Sequence, residues 1–274
     1  MEKYSVLMSV YYKEKPEYLR TAIESMLNQT VKPDDFVLVC DGPLTEELDK
    51  VVEEFSNKYT VLFNVIRLQT NQGLGNALNI GLKACRNDLI ARMDSDDISM
   101  PDRCRKQLAA FENNTQISII GGTVTEFSEF PDLPKGKRRL PLKHEDIVRF
   151  SRKRNPFNHP SVMLKKSAVE QCGGYSEEYP LFEDYYLWVR MLAEGNIGEN
   201  LPDTLVYMRA PSDMYARRGG RTYARKMLDF HKRLLEINWT TPLDFCLGAI
   251  PHALVCIMPI PILKKIYGIL RKNS

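Results

Sequence analysis

The sequence predicts an α/β protein built on a mostly parallel sheet with helices on both faces. Two observations predict it. Short apolar runs alternate with amphipathic stretches of helical period four times within residues 5–97. That alternation, with short connections, builds a parallel sheet covered on both sides. The fourth run then closes on Asp94, Asp96 and Asp97, and open α/β sheets hold their ligands beyond the C-terminal ends of their strands.

Residues 5–11 are the first strand-like run. Pro16 suits helix entry, and Tyr18, Leu19, Ala22, Ile23, Met26 and Leu27 recur with helical period to about Asn28. Residues 36–40 are a second strand, stopped by the turn signal Asp41-Gly42-Pro43. A second amphipathic helix over 46–59 sets Leu48, Val51, Val52 and Phe55 on one face. Residues 61–68 are a third strand, Asn71-Gln72-Gly73-Leu74-Gly75 a loop, and Ala77, Leu78, Ile80, Leu82 and Ala84 mark the next helix. Residues 89–93 are the fourth strand. Asp41, the 73–75 loop and Asp94/Asp96 all fall at strand ends, and so share one crevice.

Side chains alternate along an extended backbone, so Asp94 and Asp96 are expected to project to one side and converge on a cation. Packed carboxylates resist burial unless positive charge lies between them. Hard divalent ions such as Mg2+ or Mn2+ suit such ligands and bring phosphates with them. The competing reading is a solvated acidic turn. Asp41-Gly42 reads equally as turn chemistry. Gly73-x-Gly75 matches only part of a dinucleotide loop, because Leu78 stands where a third glycine belongs. The loop can still offer backbone N–H groups to phosphate. Arg92 either pairs with the carboxylates or lies near a pyrophosphate.

Past Pro101, residues 102–111 read as a helix with Arg103, Arg105 and Lys106 on its exposed part, and 117–123 as a strand. Residues 126–143, proline-rich and charged, read as a loop or hairpin over the cleft. Asn158-His159-Pro160-Ser161 enters a strand over 162–164, with His159 read as structural more readily than as a substrate contact. Gly173-Gly174-Tyr175 leads to Glu183 and Asp184, which open a helix carrying Tyr185, Leu187, Trp188, Met191 and Leu192. Acids at a helix start are explained by the dipole alone. A second acid apart from the metal cluster is also what base-catalysed transfer requires.

Composition narrows the class. The 274 residues are 43% hydrophobic and 27% charged, as in ordinary soluble proteins, and a net charge of +3 is too small to imply nucleic acid. The six cysteines show no Cys-x-x-Cys pair and no zinc spacing, and Glu2-Lys3 leads straight into a strand. These features point to a reducing, cytoplasmic compartment with free buried thiols.

With these residues assembled, the chain resembles family 2 glycosyltransferases of the GT-A fold. The matching pieces are Ser9-Val10-Tyr11-Tyr12, Asp41-Gly42, Asn71-x-Gly73 with Ala77, Asn79 and Gly81, Asp94-Ser95-Asp96-Asp97, and Phe182-Glu183-Asp184. They run in the family's order from residue 5 to about 215, in the manner of bacterial enzymes that build capsule, exopolysaccharide or O-antigen units. The resemblance implies a nucleotide-sugar donor, UDP by family frequency, with Ser9, Tyr11 and Asp41 bordering the base and Asn71, Gly73 and Arg92 nearby. It implies that Asp94 holds the ribose or uridine side, and that Asp96 is the principal ligand of Mg2+ or Mn2+ with Asp94 and Asp97 close by. Asp184, with Glu183 as second choice, would be the base of an inverting transfer. The acceptor would be a glycan or a polyprenyl-linked sugar.

The resemblance divides the chain into a transferase domain, 1–215 (donor half about 1–125, acceptor half about 126–215), and a helical tail, 216–274. Processive members carry Gln-x-x-Arg-Trp after the base; this chain does not, which favours single addition. Arg209 and the Arg217-Arg218 pair are read either as a diphosphate clamp or as a solvated basic face. Residues 245–263 are apolar apart from His252 and are followed by Lys264, Lys265, Arg271 and Lys272. Pro251, Pro259 and Pro261 break a span, so this stretch is expected to lie peripherally on the inner face of the plasma membrane, or else to pack on the core.

Two rivals remain. A haloacid-dehalogenase-like phosphatase puts its Asp-x-Asp on the first strand with Thr or Val two positions on, whereas here the motif is on the fourth with Ile98 in that place. Ile98 and the lack of a following Gly also exclude a calcium loop. A non-catalytic nucleotide-sugar binding module is the other.

Overall fold

A computed structural model describes residues 2–210 and 219–258. The predicted alternation forms β1 (Tyr4–Val10), α1 (Pro16–Leu27), β2 (Asp35–Cys40), α2 (Glu46–Lys58), β3 (Phe63–Arg67), α3 (Leu74–Ala84) and β4 (Leu89–Asp94). β1 pairs in parallel with both β2 and β4, and β2 with β3. Each central strand is buried on both faces, and its residues divide by parity. Val6 and Met8 of β1, with Phe36 and Leu38 of β2, meet α1 and α2 in one core; Leu7, Val37 and Val39 meet α3 in the other. A Cβ on Gly81 would lie 2.4 Å from Leu7 Cδ1, so α3 seats on the sheet only through a glycine there.

The remaining strands are β5 (Ile98–Ser99), β6 (Ile117–Phe127), β7 (Gly136–Arg138), β8 (Met163–Lys165) and β9 (Ile197–Arg209), interspersed with α4 (Arg103–Asn113), α5 (His144–Ser151), α6 (Lys166–Gln171) and α7 (Glu183–Ala193). The sheet order is β3-β2-β1-β4-β8-β6-β9-β5, with β7 hairpinned onto β6. β8 is antiparallel to β4 and β6, whereas β6 and β9 run parallel. The stretch read as a loop or hairpin over 126–143 is therefore a hairpin that grows out of β6.

One expectation fails outright in α4. Arg103, placed on the exposed part of the helix, is wholly buried and donates through Nη2 to the carbonyls of Arg92 (2.6 Å) and Val162 (3.0 Å). It fastens β4 to the segment before β8, and those paired carbonyls are what make its burial tolerable. Among the described residues all six cysteines are free, and Cys246 alone is exposed.

After residue 218, α8 (Arg221–Glu236) packs against α7, with Phe230 stacked on Phe182 at 4.9 Å between ring centroids. A π-helical turn (Phe245–Ala249) and α9 (Ile250–Cys256) follow. Pro251 falls in the first turn of α9, where a missing N–H costs nothing, and so does not break it. Pro259, Pro261 and the basic residues after them lie outside the described residues. Among the described residues no helix is long and apolar enough to cross a membrane.

Candidate active site

The ends of β1, β2 and β4 meet on one rim. Strand register sets Ser9, half-buried, opposite Asp94, and Tyr11 stands just past β1 with 40% of its surface exposed. Asp41 follows β2 and is fully engaged within the chain. Its Oδ1 accepts from the Gln72 N–H at 2.7 Å and its Oδ2 from the Gly73 N–H at 3.0 Å, while Asn71 Nδ2 donates to its carbonyl at 3.1 Å. Gly42 has φ +87°, and a Cβ there would sit 2.7 Å from the Asn71 nitrogen. Glycine alone allows the two loops to touch. The expectation that this loop offers its N–H groups to phosphate therefore fails at Gln72 and Gly73, because the carboxylate on the neighbouring strand takes both.

β4 ends at Asp94 and residues 95–96 turn, so strand alternation does not carry through to Asp96; Asp94, Asp96 and Asp97 lie close enough to repel one another and have different partners. Asp94 Oδ1 is 2.9 Å from Arg92 Nη2, and its Oδ2 is 3.2 Å from His159 Nε2. Arg92 is 1% exposed, and its Nη1 lies 3.5 Å from Asp184 Oδ2; His159 Nδ1 is 3.8 Å from that same oxygen. Of the two readings of Arg92, the geometry is that of pairing. Against the upward push of burial, Arg92 and His159 hold the Asp94 carboxyl well below the usual carboxylate range. One arginine and one histidine thus bridge two carboxylates that are far apart in sequence.

Asp97 is buried, and its Oδ1 accepts from the Arg209 N–H at 2.6 Å; burial and the negative charges of Asp96 and Asp94 push its carboxyl well up. Asp96 is half-buried and has no Lys, Arg or His at ion-pair distance among the described residues. Burial, then Asp94 and then Glu14 push it up to about 7. Glu14 reaches this turn through Ser95, whose Oγ donates to Glu14 Oε2 at 2.5 Å.

Arg209 holds the turn from outside. Its guanidinium carbon lies 3.6 Å from the ring centroid of Tyr18 and 4.6 Å from that of Phe127, and its Nε donates to the Asp96 carbonyl at 3.0 Å. Nη1 donates to the Ser128 carbonyl. Arg217 and Arg218 lie outside the described residues.

Among the described residues, no three His, Cys, Asp or Glu side chains form a ready metal cage. Mg2+ and Mn2+ on phosphorylated substrates do not need one, since they take one or two carboxylates and complete their shell with phosphate oxygens and water. Asp96 suits that kind of site. It is a part-exposed carboxylate whose pKa is raised first by burial and then by neighbouring negative charge, which a divalent cation would neutralise.

Asp184 reaches this rim from the opposite side, in the first turn of α7. The path to it is braced at the Gly173-Gly174 turn, where both glycines have positive φ. Asn79 of α3 accepts from the Tyr175 N–H at 2.7 Å and donates to the Tyr175 carbonyl at 2.8 Å, while Arg190 donates to the carbonyls of Cys172 and Gly174. Leu181 is then forced to φ +83°, an unfavourable value for a branched side chain. Asp184 is 8% exposed, and its Oδ1 makes no hydrogen bond within the chain; Glu183 Oε2 likewise makes none. Burial, helped by Asp184, pushes the Glu183 carboxyl up.

Sequence reasoning missed Glu14 and, though it singled out His159 as structural, did not find its partners. A single His before a Pro carries no local signal, and its contacts with Asp94 and Asp184 exist only once β4, β8 and α7 are assembled. Glu14 sits in the β1–α1 connection and meets Ser95 only across the sheet.

Residues 5–173 match the family model described as glycosyl transferase family 2. The amylovoran biosynthesis glycosyltransferase AmsE of Erwinia amylovora is 38% identical, with 98% of this chain and 100% of that one covered. The UDP-Gal:alpha-D-GlcNAc-diphosphoundecaprenol beta-1,3-galactosyltransferase of Escherichia coli is 37% identical, with 94% and 92% covered. Among solved structures, the mannosyltransferase PcManGT of Pyrobaculum calidifontis, in complex with GDP-Man and Mn2+, superposes with a TM-score of 0.66 at 14% identity, covering 98% of this chain and 80% of that one.

Proposed function

Because the chain belongs to glycosyltransferase family 2, we propose that it transfers a sugar from a UDP-sugar to a polyprenyl-linked or glycan acceptor, with inversion, in bacterial surface polysaccharide synthesis. The observation that carries this reading is the meeting of two acidic groups from opposite halves of the sheet. Asp94 at the end of β4 and Asp184 on α7 share Arg92 and His159, and Asp96, short of positive charge, follows two residues after Asp94 on the donor rim. Family membership removes the phosphatase reading.

Ser9, Tyr11 and Asp41 border the nucleotide base, with Asn71 and Gly73 in the wall that Asp41 fixes. Asp94 takes the ribose side, held in place by Arg92. Asp96 would hold Mg2+ or Mn2+, which, when bound, neutralises the charge growing on the departing diphosphate. Arg209 sets the carbonyl of Asp96 and the carboxylate of Asp97, so the turn keeps its shape. Asp184, through an Oδ1 without a partner in the chain, takes the proton of the acceptor hydroxyl. The oxygen bonds to the anomeric carbon from the face opposite the breaking carbon–oxygen bond, and the configuration inverts. The absence of Gln-x-x-Arg-Trp favours one addition per acceptor. A lipid-linked acceptor would place the enzyme peripherally at the inner face of the cytoplasmic membrane.

A panel of nucleotide sugars with Mn2+ or with chelator, run against Asp96→Ala and Asp184→Asn, tests the reading. Asp184→Asn is expected to keep UDP and Mn2+ binding and to lose transfer; normal transfer by that variant would overturn the base assignment. A binding module would show no transfer in the unmodified protein with any donor.

A further inference from the structure

The end of the described chain carries its apolar residues the wrong way round for a helix in water. α9 and the π-helical turn before it bury small residues: Ala249 is buried, and Ala253 and Cys256 join Met227, Phe230 and Leu234 of α8 in one cluster. Their large ones face out. Leu243, Leu247, Ile250, Leu254 and Ile257 are 66%, 62%, 40%, 53% and 49% exposed, and spacings of four and three put them on one stripe. A surface helix normally turns its large apolar side chains to the core and its polar ones outward. An exposed contiguous apolar stripe marks something that covers it.

Charge on the adjoining surface says what that is. Residues 135–154 hold nine Lys or Arg against two acids, a net of +7 in a chain whose total is only +3. The end of this run borders the stripe. Lys153 Nζ is 3.4 Å from Asp244 Oδ1, a Cβ on Gly248 would lie 3.2 Å from Lys153 Cγ, and Arg149, Arg152 and Lys153 line one open groove with Asp244. Arg152, Lys153 and Arg154 are exposed.

We propose that the stripe Leu243–Leu247–Ile250–Leu254–Ile257 and the basic rim Arg149, Arg152 and Lys153 together dock the protein on an anionic lipid bilayer, the stripe entering the acyl boundary and the rim meeting phosphate headgroups. The combination of an apolar face and basic flank is what such a surface selects. A second copy of the chain is disfavoured, because a two-fold contact through this face would set each basic rim near its equal. The proposal deepens the membrane placement offered above and rests on it, by naming the surface that makes the contact.

The test is sedimentation of the full chain with phosphatidylglycerol–phosphatidylcholine vesicles and with pure phosphatidylcholine vesicles. It is run beside thermal melting, UDP binding and analytical ultracentrifugation. The expected result is binding to the anionic vesicles alone, weakened by salt. Arg152→Glu/Lys153→Glu and, separately, Leu247→Asp/Leu254→Asp should each lower vesicle binding tenfold or more while melting and UDP binding stay unchanged. No binding by the unmodified protein would defeat the membrane placement itself. Undiminished binding by both double variants would leave that placement standing and defeat this surface. A lowered melting temperature in the Asp variant with vesicle binding intact would assign the stripe to residues 259–274, and a dimer dispersed by that variant with vesicle binding intact would assign it to a second copy. Either would overturn the proposal.

Discussion

Two acidic groups stand side by side at the end of β4 and differ in how their charge is met. Asp94, half-buried, and Asp184, buried, share Arg92 and His159, so the chain supplies its own countercharge. Asp96, with Glu14 and Asp97 near it, receives little: Arg209 spends its guanidinium on carbonyl oxygens and aromatic faces, and Asp96 is left with a raised pKa. One set of acids is thus met by the chain's own cations, while the other keeps a surplus of negative charge, which is where the proposed ion would bind.

The sharpest way to break this contrast is at the proposed base. Asp184→Asn should lower transfer by about 10²–10⁴-fold, measured as product formed per enzyme per unit time, with Mn2+-dependent UDP binding retained. Next in size is the bridge. Arg92→Met takes the buried guanidinium from one buried and one half-buried carboxylate and should cost about 3–5 kcal/mol in urea unfolding. Adding Asp184→Asn to it should recover part of that loss, and full additivity of the two would show that they do not interact. Third is the proposed ion site. Mn2+ with UDP at about 100 times its dissociation constant should stabilise the unmodified protein by about 2.7 kcal/mol, and Asp96→Ala should not respond.

Stability against pH should separate the two groups by sign. Asp94 has a folded pKa below its ordinary 3.8, so its contribution is present above that value and lost as pH falls beneath it. Asp96 is raised from 3.8 to about 7, so the folded chain holds the proton more tightly. Its contribution declines as pH rises through that window. With Asp97 and Glu183 raised in the same direction, metal-free protein should melt at a higher temperature near pH 5 than near pH 8, and Asp96→Asn should reduce that slope without touching the acid limb. The smallest effect is expected from Asn79→Ala, which removes two hydrogen bonds bracing the approach to Asp184, at about 0.5–1.5 kcal/mol each.

The donor half was legible in the sequence because its signals are local. Each strand of β1 to β4 is a short apolar run, each helix repeats on its own, and Asp41, Asp94 and Asp96 fall at the ends by count alone. β9 was not legible. Gly198, Glu199, Asn200, Pro202 and Asp203 interrupt its apolar pattern, and its register against β6 shifts at Gly122 and Thr123. Its burial comes from strands about eighty residues earlier in the chain. Arg103 failed for the same reason, since it looks like a surface residue until distant carbonyls close around it, and His159, read as structural, could not be given its partners from sequence. The GT-A resemblance rested on ordered motifs and matches the family model and the fold; it said nothing of the cross-sheet bridge that joins those motifs.

Arg209 closes β9 while gripping the ends of β4 and β6, with Tyr18 of α1 under its guanidinium plane. Four pieces of chain are riveted at a single side chain. Lysine keeps the charge but lacks the flat fork that stacks and donates in two directions. A screen that scored only chemistry would enrol this arginine among the reacting groups, when its office is that of a keystone.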